Sequence, residues 1–168
     1  MYKKILLAID GSEDSFRAAE RVKEIGNDRT KVVIFNALED HFYEKLATMS
    51  VSPFPSPMPN APIVTPAHLS ASKKAAAKKI LEKAKKIFRG TLVPVELRLI
   101  EDEDPEDYML NVIKEEGFDL VVIGCEGEHS AFKRVFLGTI ATKLVNEAPC
   151  DVLIVRWSTF LFKCSNQS

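Results

Sequence analysis

Several features that would carry a common function are missing from this sequence. Cysteine is scarce: Cys125, Cys150 and Cys164 are three in number, widely spaced, with no Cys-x-x-Cys pair. Such a set supports neither a disulfide frame nor a zinc site, and reads as reduced thiols in a reducing compartment. Long hydrophobic runs are absent. The apolar residues 5–9 are too few for a signal-peptide core, and nothing approaches the ~20 residues of a spanning helix. A cytoplasmic protein without membrane association is expected. No excess of charge of one sign exists either, since 23 basic and 24 acidic side chains leave a net charge of −1. That balance gives no electrostatic reason to expect nucleic acid as a partner. There is no Walker A Gly-Lys-Ser/Thr, no Rossmann dinucleotide fingerprint, no Gly-x-Ser-x-Gly and no recognisable pair of catalytic acids. His41 and His68 lack metal-ligand spacing. No catalytic or metal-binding residue is assigned.

What is present suits one domain. The 168 residues are 46% hydrophobic and 28% charged, enough for a sizeable core and for solubility. Residues 3–10 (KKILLAID), Lys31–Ala37 (KVVIFNA), residues 119–124 (DLVVIG) and Asp151–Val155 (DVLIV) are short apolar runs, as expected of strands covered on both faces. Residues 93–100 (VPVELRLI) alternate instead, and Pro94 favours an edge strand. Ser12 caps a helix that carries Glu13 and Asp14 in its first turn, with Phe16, Ala19, Val22 and Ile25 as its apolar stripe. Residues 67–88 form a long helix with Ala71, Ala75, Ile80, Leu81, Ala84, Ile87 and Phe88 on its apolar face. The lysines between them read as a solvated basic surface. Asp104 and Pro105 open a third helix, lined by Met109, Leu110 and Ile113 and ended by Gly117. Residues 139–148 form the last helix, stopped by Pro149. Capping and dipole compensation account for the acidic run at 101–107 better than a metal site does.

Strands and helices thus alternate, and right-handed crossovers predict an α/β three-layer sandwich around a five-stranded parallel sheet. The domain spans residues 1–156. It is interrupted at 39–72 by a proline-rich insertion, read as a lid, an interaction segment or a partly disordered stretch. Residues 157–168 form a tail whose apolar side chains are expected to pack on the body or on a partner.

Ligands of an open parallel sheet bind beyond the carboxyl ends of its strands, where the strand order reverses. If the first and fourth strands are neighbours, Asp10 faces the loop at 124–127 across that crevice. Its charge is met either by ribose hydroxyls or an exocyclic amine, or by a local turn with Ser12. Gly124-Cys125-Glu126-Gly127 follows the fourth strand, and ten residues further on Gly138-Thr139 opens a helix. Glycines allow backbone N–H groups to approach a phosphate, a helix N-terminus concentrates such donors, and Thr139 adds a hydroxyl. Cys125 reads as a small filler, with a redox-sensitive thiol as the alternative. His129 reads as an exposed loop residue, with a phosphate contact as the alternative.

The blocks KKILLAIDGSEDS, DLVVIGCEG and FLGTIATKLVNEAPCDVLIVR resemble the universal stress protein family. The resemblance covers nearly the whole chain apart from the insertion and the tail. It implies a Rossmann-like, adenine nucleotide α-hydrolase-like fold, a cytoplasmic homodimer and, in one branch, ATP binding. It further implies that Asp10 contacts the nucleoside, that the backbone of Ala37 meets adenine and that Gly124 lies under the ribose. Gly127, Gly138 and Thr139 would hold the phosphates, with Ile140 adding a backbone donor. Asp151–Val155 matches the strand that pairs across the family's dimer axis. Two features depart from the ATP-binding branch. The ten residues between Gly127 and Gly138 are one more than that branch has, and the carboxylates of Glu126 and Glu128 flank Gly127. Mg2+, or Lys133, Arg134 and His129, would offset those charges against a triphosphate.

The expectation is a stress-response-type regulatory protein that binds ATP, or AMP or ADP, with or without Mg2+, at the crevice between the first and fourth strands. The alternative is a nucleotide-free dimeric interaction module of the same fold, serving an unidentified protein partner. An adenylate enzyme ranks below both. No general base or transition-state arginine stands out, so any ATP hydrolysis would be slow or partner-dependent.

Overall fold

The computed structural model describes residues 1–38, 66–101, 103–125 and 138–156, with the backbone alone for residues 66–70. Most of the proline-rich insertion, the loop at 126–137 and the tail at 157–168 lie outside the described residues. Strands and helices alternate in the order β1 (Lys4–Ala8), α1 (Glu13–Ile25), β2 (Lys31–Ala37), α2 (Pro66–Ile87), β3 (Val95–Ile100), α3 (Pro105–Glu116), β4 (Leu120–Gly124), α4 (Thr139–Glu147) and β5 (Asp151–Val155). The strands make one parallel sheet in the order β3-β2-β1-β4-β5. β1 and β4 are neighbours, and the strand order reverses between them. Among the described residues, no helix is long and apolar enough to cross a membrane.

Alternate side chains of each strand point to opposite faces, so both faces of the central strands must be covered. Ile5, Leu7, Val32, Ile34, Leu120 and Val122 pack with Ala18, Ala19 and Val22 of α1 and with Leu81 and Ala84 of α2. Leu6, Val33, Phe35, Val121 and Ile123 pack with Met109, Leu110 and Ile113 of α3 and with Ala141 and Leu144 of α4. β3 lies at one edge, as Pro94 suggests, and β5 lies at the other. The α/β three-layer sandwich with a five-stranded parallel sheet is therefore the architecture of this chain.

Two helix faces differ from the expected ones. On α1 the buried residues are Asp14, Ser15, Ala18, Ala19 and Val22, while Phe16 is half-buried and Ile25 exposed. A spacing of three falls about 60° short of a full turn at each step. The row from Phe16 to Ile25 therefore winds across the helix, and only its middle faces the sheet. On α2, Ala71 and Ala75 are exposed, whereas Ala77 is buried with Leu81, Ala84 and Phe88. α2 has 22 residues and β2 has 7, or roughly 33 Å against 23 Å. The first turns of α2 thus overhang the strands they approach.

A ladder of ion pairs runs from the edge strand toward the amino end of β1. Lys31 Nζ meets Glu96 at 2.7 Å, and Arg98 Nε donates to Glu96 at 2.7 Å. The Arg98 guanidinium then grips Glu116 with two bonds of 2.5 and 3.0 Å, and Lys4 Nζ donates to Glu116 at 2.7 Å. The hydrogen bonds from Arg98, assisted by Lys4, hold the Glu116 carboxyl down at about 2. Arg98 also donates to the Tyr108 hydroxyl at 3.3 Å, and the Tyr108 ring leans on Phe35 with centroids 5.0 Å apart.

Candidate functional site

The carboxyl edge of the sheet is built where β2, β1 and β4 end side by side. Beyond β1, the Ile9 N–H donates to the Phe35 carbonyl at 2.9 Å, which carries the pairing one residue further. Gly11 then turns the chain at φ 98°, a conformation that favours glycine. Asp10 Oδ1 accepts from the Ser12 N–H at 2.9 Å and from its hydroxyl at 2.6 Å. Ser12 Oγ in turn accepts from the Ser15 N–H at 3.2 Å, which caps α1. The local turn role is thus real, and it also holds the carboxylate at the end of its strand.

Gly124 closes β4 next door. A β-carbon there would stand 2.7 Å from Ser15 N and 2.8 Å from Asp14 C, so the first turn of α1 rests directly on this glycine. Asp14 is buried at that contact and pairs with Arg17 at 2.5 Å. Cys125 follows, buried, and its N–H donates to the Val155 carbonyl at 2.7 Å. It fills space at the end of β5, as a small side chain can.

Ala37 ends β2 opposite Ile100. Its neighbour Asn36 is buried and donates from its amide to the Ile9 carbonyl at 2.5 Å, tying the ends of β1 and β2 together. Sequence reasoning passed over Asn36. The signal was present in its being a polar residue within an apolar strand, where burial without a partner would be costly.

Gly138, Thr139 and Ile140 form the start of α4. Because α4 runs back to the beginning of β5, its first turn lies at the same carboxyl edge, in the layer opposite α1. Gly138 has φ −59° and ψ 163°, which any residue can adopt, and a β-carbon there would meet nothing within 4 Å among the described residues. Neither backbone nor packing among those residues requires glycine. α1 has Glu13 and Asp14 in its first turn and α3 has Glu106 and Asp107, whereas the first turns of α2 and α4 have no acid, and α4 has no side-chain cap. Its leading N–H groups therefore have no carboxylate within their own turn. Lys143, one turn on, hydrogen-bonds Asp107 at 2.8 Å and approaches Glu106 at 3.7 Å, and the Asp107 bond raises its pKa. Part of the acidic run is thereby neutralised beside this helix.

Asp10, Ala37 and Gly124 thus share one edge with Gly138, Thr139 and Ile140. Gly127 lies outside the described residues, as do Glu126, Glu128, His129, Lys133 and Arg134. Among the described residues, no group of three or more His, Cys, Asp or Glu could hold a metal ion.

Comparison with known proteins agrees with this architecture. The universal stress protein family model matches residues 1–156. A universal stress protein of Thermus aquaticus is 32% identical over 161 residues, which cover 93% of this chain and 100% of the relative. The solved structure of a universal stress protein in complex with cAMP superposes with a TM-score of 0.61 at 23% identity, over 94% of this chain and 98% of the other. A universal stress protein from Archaeoglobus fulgidus in complex with dAMP superposes with a TM-score of 0.57 at 18% identity, over 92% and 98%. The chain belongs to the universal stress protein family.

Proposed function

We propose that this protein is a stress-response regulator that binds an adenine nucleotide at the carboxyl edge where β1 meets β4. The observation that carries the reading is the first turn of α4. Its donors have no acidic neighbour in their own turn, and its leading glycine has no packing reason among the described residues. That is the form an anion-binding helix start takes. Support also comes from the two related proteins solved with cAMP and with dAMP. In this reading Asp10 takes ribose hydroxyls, the backbone of Ala37 meets the base, and Gly124, packed against the first turn of α1, lies under the sugar. Gly127, Gly138, Thr139 and Ile140 receive the phosphates. ATP, ADP and AMP are all candidates. Nucleotide occupancy would bias a homodimer that pairs through Asp151–Val155, an edge strand of the sheet among the described residues.

The test is calorimetric titration of nucleotide-stripped protein with ATP, AMP and cAMP, with and without Mg2+, beside Asp10→Ala. Micromolar binding that disappears in the variant supports the site. No heat and no thermal shift at millimolar nucleotide would end the nucleotide reading. One observation favours the rival, a nucleotide-free interaction module: Asp10 Oδ1 already accepts two hydrogen bonds from Ser12. A dimer that captures the same partners with and without nucleotide would decide for it.

A further inference from the structure

The charges of α2 are arranged in a way that neither the core nor the nucleotide site explains. Residues 78–89 hold six basic side chains, Lys78, Lys79, Lys83, Lys85, Lys86 and Arg89, against one carboxylate, Glu82. The whole chain has a net charge of −1, so this stretch is a positive island on an otherwise acidic protein. All six basic residues are exposed. Helical spacing sorts them into two rows, with Lys79, Lys83 and Lys86 in one and Lys78, Lys85 and Arg89 in the other. Like charges three and four positions apart repel, while Lys85 and Lys86 lie in the last turn, where the helix dipole favours them.

Little among the described residues relieves that repulsion. Lys74, in the other half of α2, pairs with Glu101 at 2.6 Å. Lys78, Lys79, Lys85, Lys86 and Arg89 make no ion pair among the described residues. Lys83 lies over the Phe16 ring, 4.0 Å from its centroid. The apolar face of this half of the helix is spent on Leu81, Ala84 and Phe88 in the core. What remains outside is a charged strip roughly 16 Å long.

The end of the strip narrows the choice of partner. Leu92 is 83% exposed, three residues beyond Arg89. It adjoins Val93, whose side chain would lie 3.3 Å from a β-carbon on Gly26, next to exposed Ile25. A nucleic acid supplies charge but no aliphatic group for that leucine. A bilayer would need large apolar side chains along the strip itself. Those exposed among the described residues are Met1, Ile25, Leu92 and Val145, and none lies within it. An acidic protein segment that ends in an apolar side chain matches both features.

We propose that residues 78–92 form a docking surface for an acidic segment of another protein, with carboxylates along the two basic rows and an apolar side chain against Leu92. This surface is independent of the nucleotide reading. The probe is a fluorescent peptide of three glutamate-rich helical turns ending in two leucines, titrated with the full chain at low and at physiological salt. Binding should weaken about tenfold in Lys79→Gln/Lys85→Gln/Lys86→Gln and stay unchanged in Lys3→Gln/Arg29→Gln/Lys114→Gln, which removes the same charge elsewhere. Leu92→Ser should weaken it severalfold without changing its salt dependence. Circular dichroism and a melting curve of the α2 variant check that it is folded at the assay temperature, so that lost binding is not read from unfolded protein. Equal losses in the two triple variants would overturn the proposal in favour of net charge alone. Absence of peptide binding at low salt would also overturn it, and capture of duplex DNA or phosphatidylserine vesicles by the same protein would then reassign the surface.

Discussion

Gly124 supports the amino end of α1: a β-carbon on it would stand 2.7 Å from the backbone nitrogen of Ser15. Backbone cannot swing aside as a flexible side chain can. Gly124→Ala must therefore lift the first turn of α1 from β4, at a cost of about 1–3 kcal/mol. The expected readout is a lower urea midpoint with an unchanged slope. An unchanged midpoint would mean that α1 can retreat freely, and the contact would lose its structural weight.

The same turn separates two roles of Asp10. Ser12 both caps α1 and bonds Asp10, so Ser12→Ala should destabilise the protein by about 1 kcal/mol. If Asp10 exchanges its Ser12 partner for a ribose hydroxyl, Ser12→Ala should leave nucleotide affinity within about threefold. Asp10→Ala should lower that affinity by about tenfold or more. Equal losses in the two variants would show that Asp10 acts only through the shape of the turn.

Local signals made much of this fold legible and concealed its long-range contacts. The apolar runs at β1, β2 and β4 read correctly because strands buried on both faces need no alternation, and β5 shows the same pattern although, at the edge of the sheet, it is only half-buried. Pro94 marked an edge, and Pro105 and Gly117 marked the limits of α3, since each acts through its own backbone, whereas Asp104 stands at the N-cap without a side-chain capping hydrogen bond. The facing of α2 was harder. Ala71, Ala75 and Ala77 are chemically alike, and which of them is buried depends on where the sheet stops. Within the site, the sequence shows a glycine at 124 but not the helix turn resting on it. The Asn36 amide likewise depends on a carbonyl that the sequence places 27 positions away. Glu116 finds Arg98 at a separation of 18 residues and Lys4 at 112. No periodicity encodes such pairs.

Those long-range pairs predict acid behaviour. Glu116 is held at about 2 in the folded protein, against an ordinary value of 4.5. A lowered carboxyl pKa adds stability above the unfolded value, and that stability disappears as pH falls from about 4.5 toward 2. Its side chain is 30% exposed, so after solvent screening the contribution is about 1–2 kcal/mol. Glu116→Gln should lower stability by that amount at pH 7 and flatten the acid limb of the stability curve. An unaltered acid limb would assign the acid sensitivity to other carboxylates.

Gly138 offers a test in which stability and function should move in opposite directions. Its φ of −59° and ψ of 163° are those of an N-cap, and a side chain there meets nothing within 4 Å among the described residues. Gly138→Asp should cap α4 and complement its dipole, raising stability by a few tenths to about 1 kcal/mol. The same carboxylate would occupy the donors offered to a phosphate and repel its charge, so affinity for ATP should fall by about tenfold or more. Thermal melting and calorimetric titration of the one variant read both effects. A more stable protein with undiminished affinity would remove the start of α4 from the binding site. A less stable protein would show that another group already lies against Gly138 and is displaced by the new side chain.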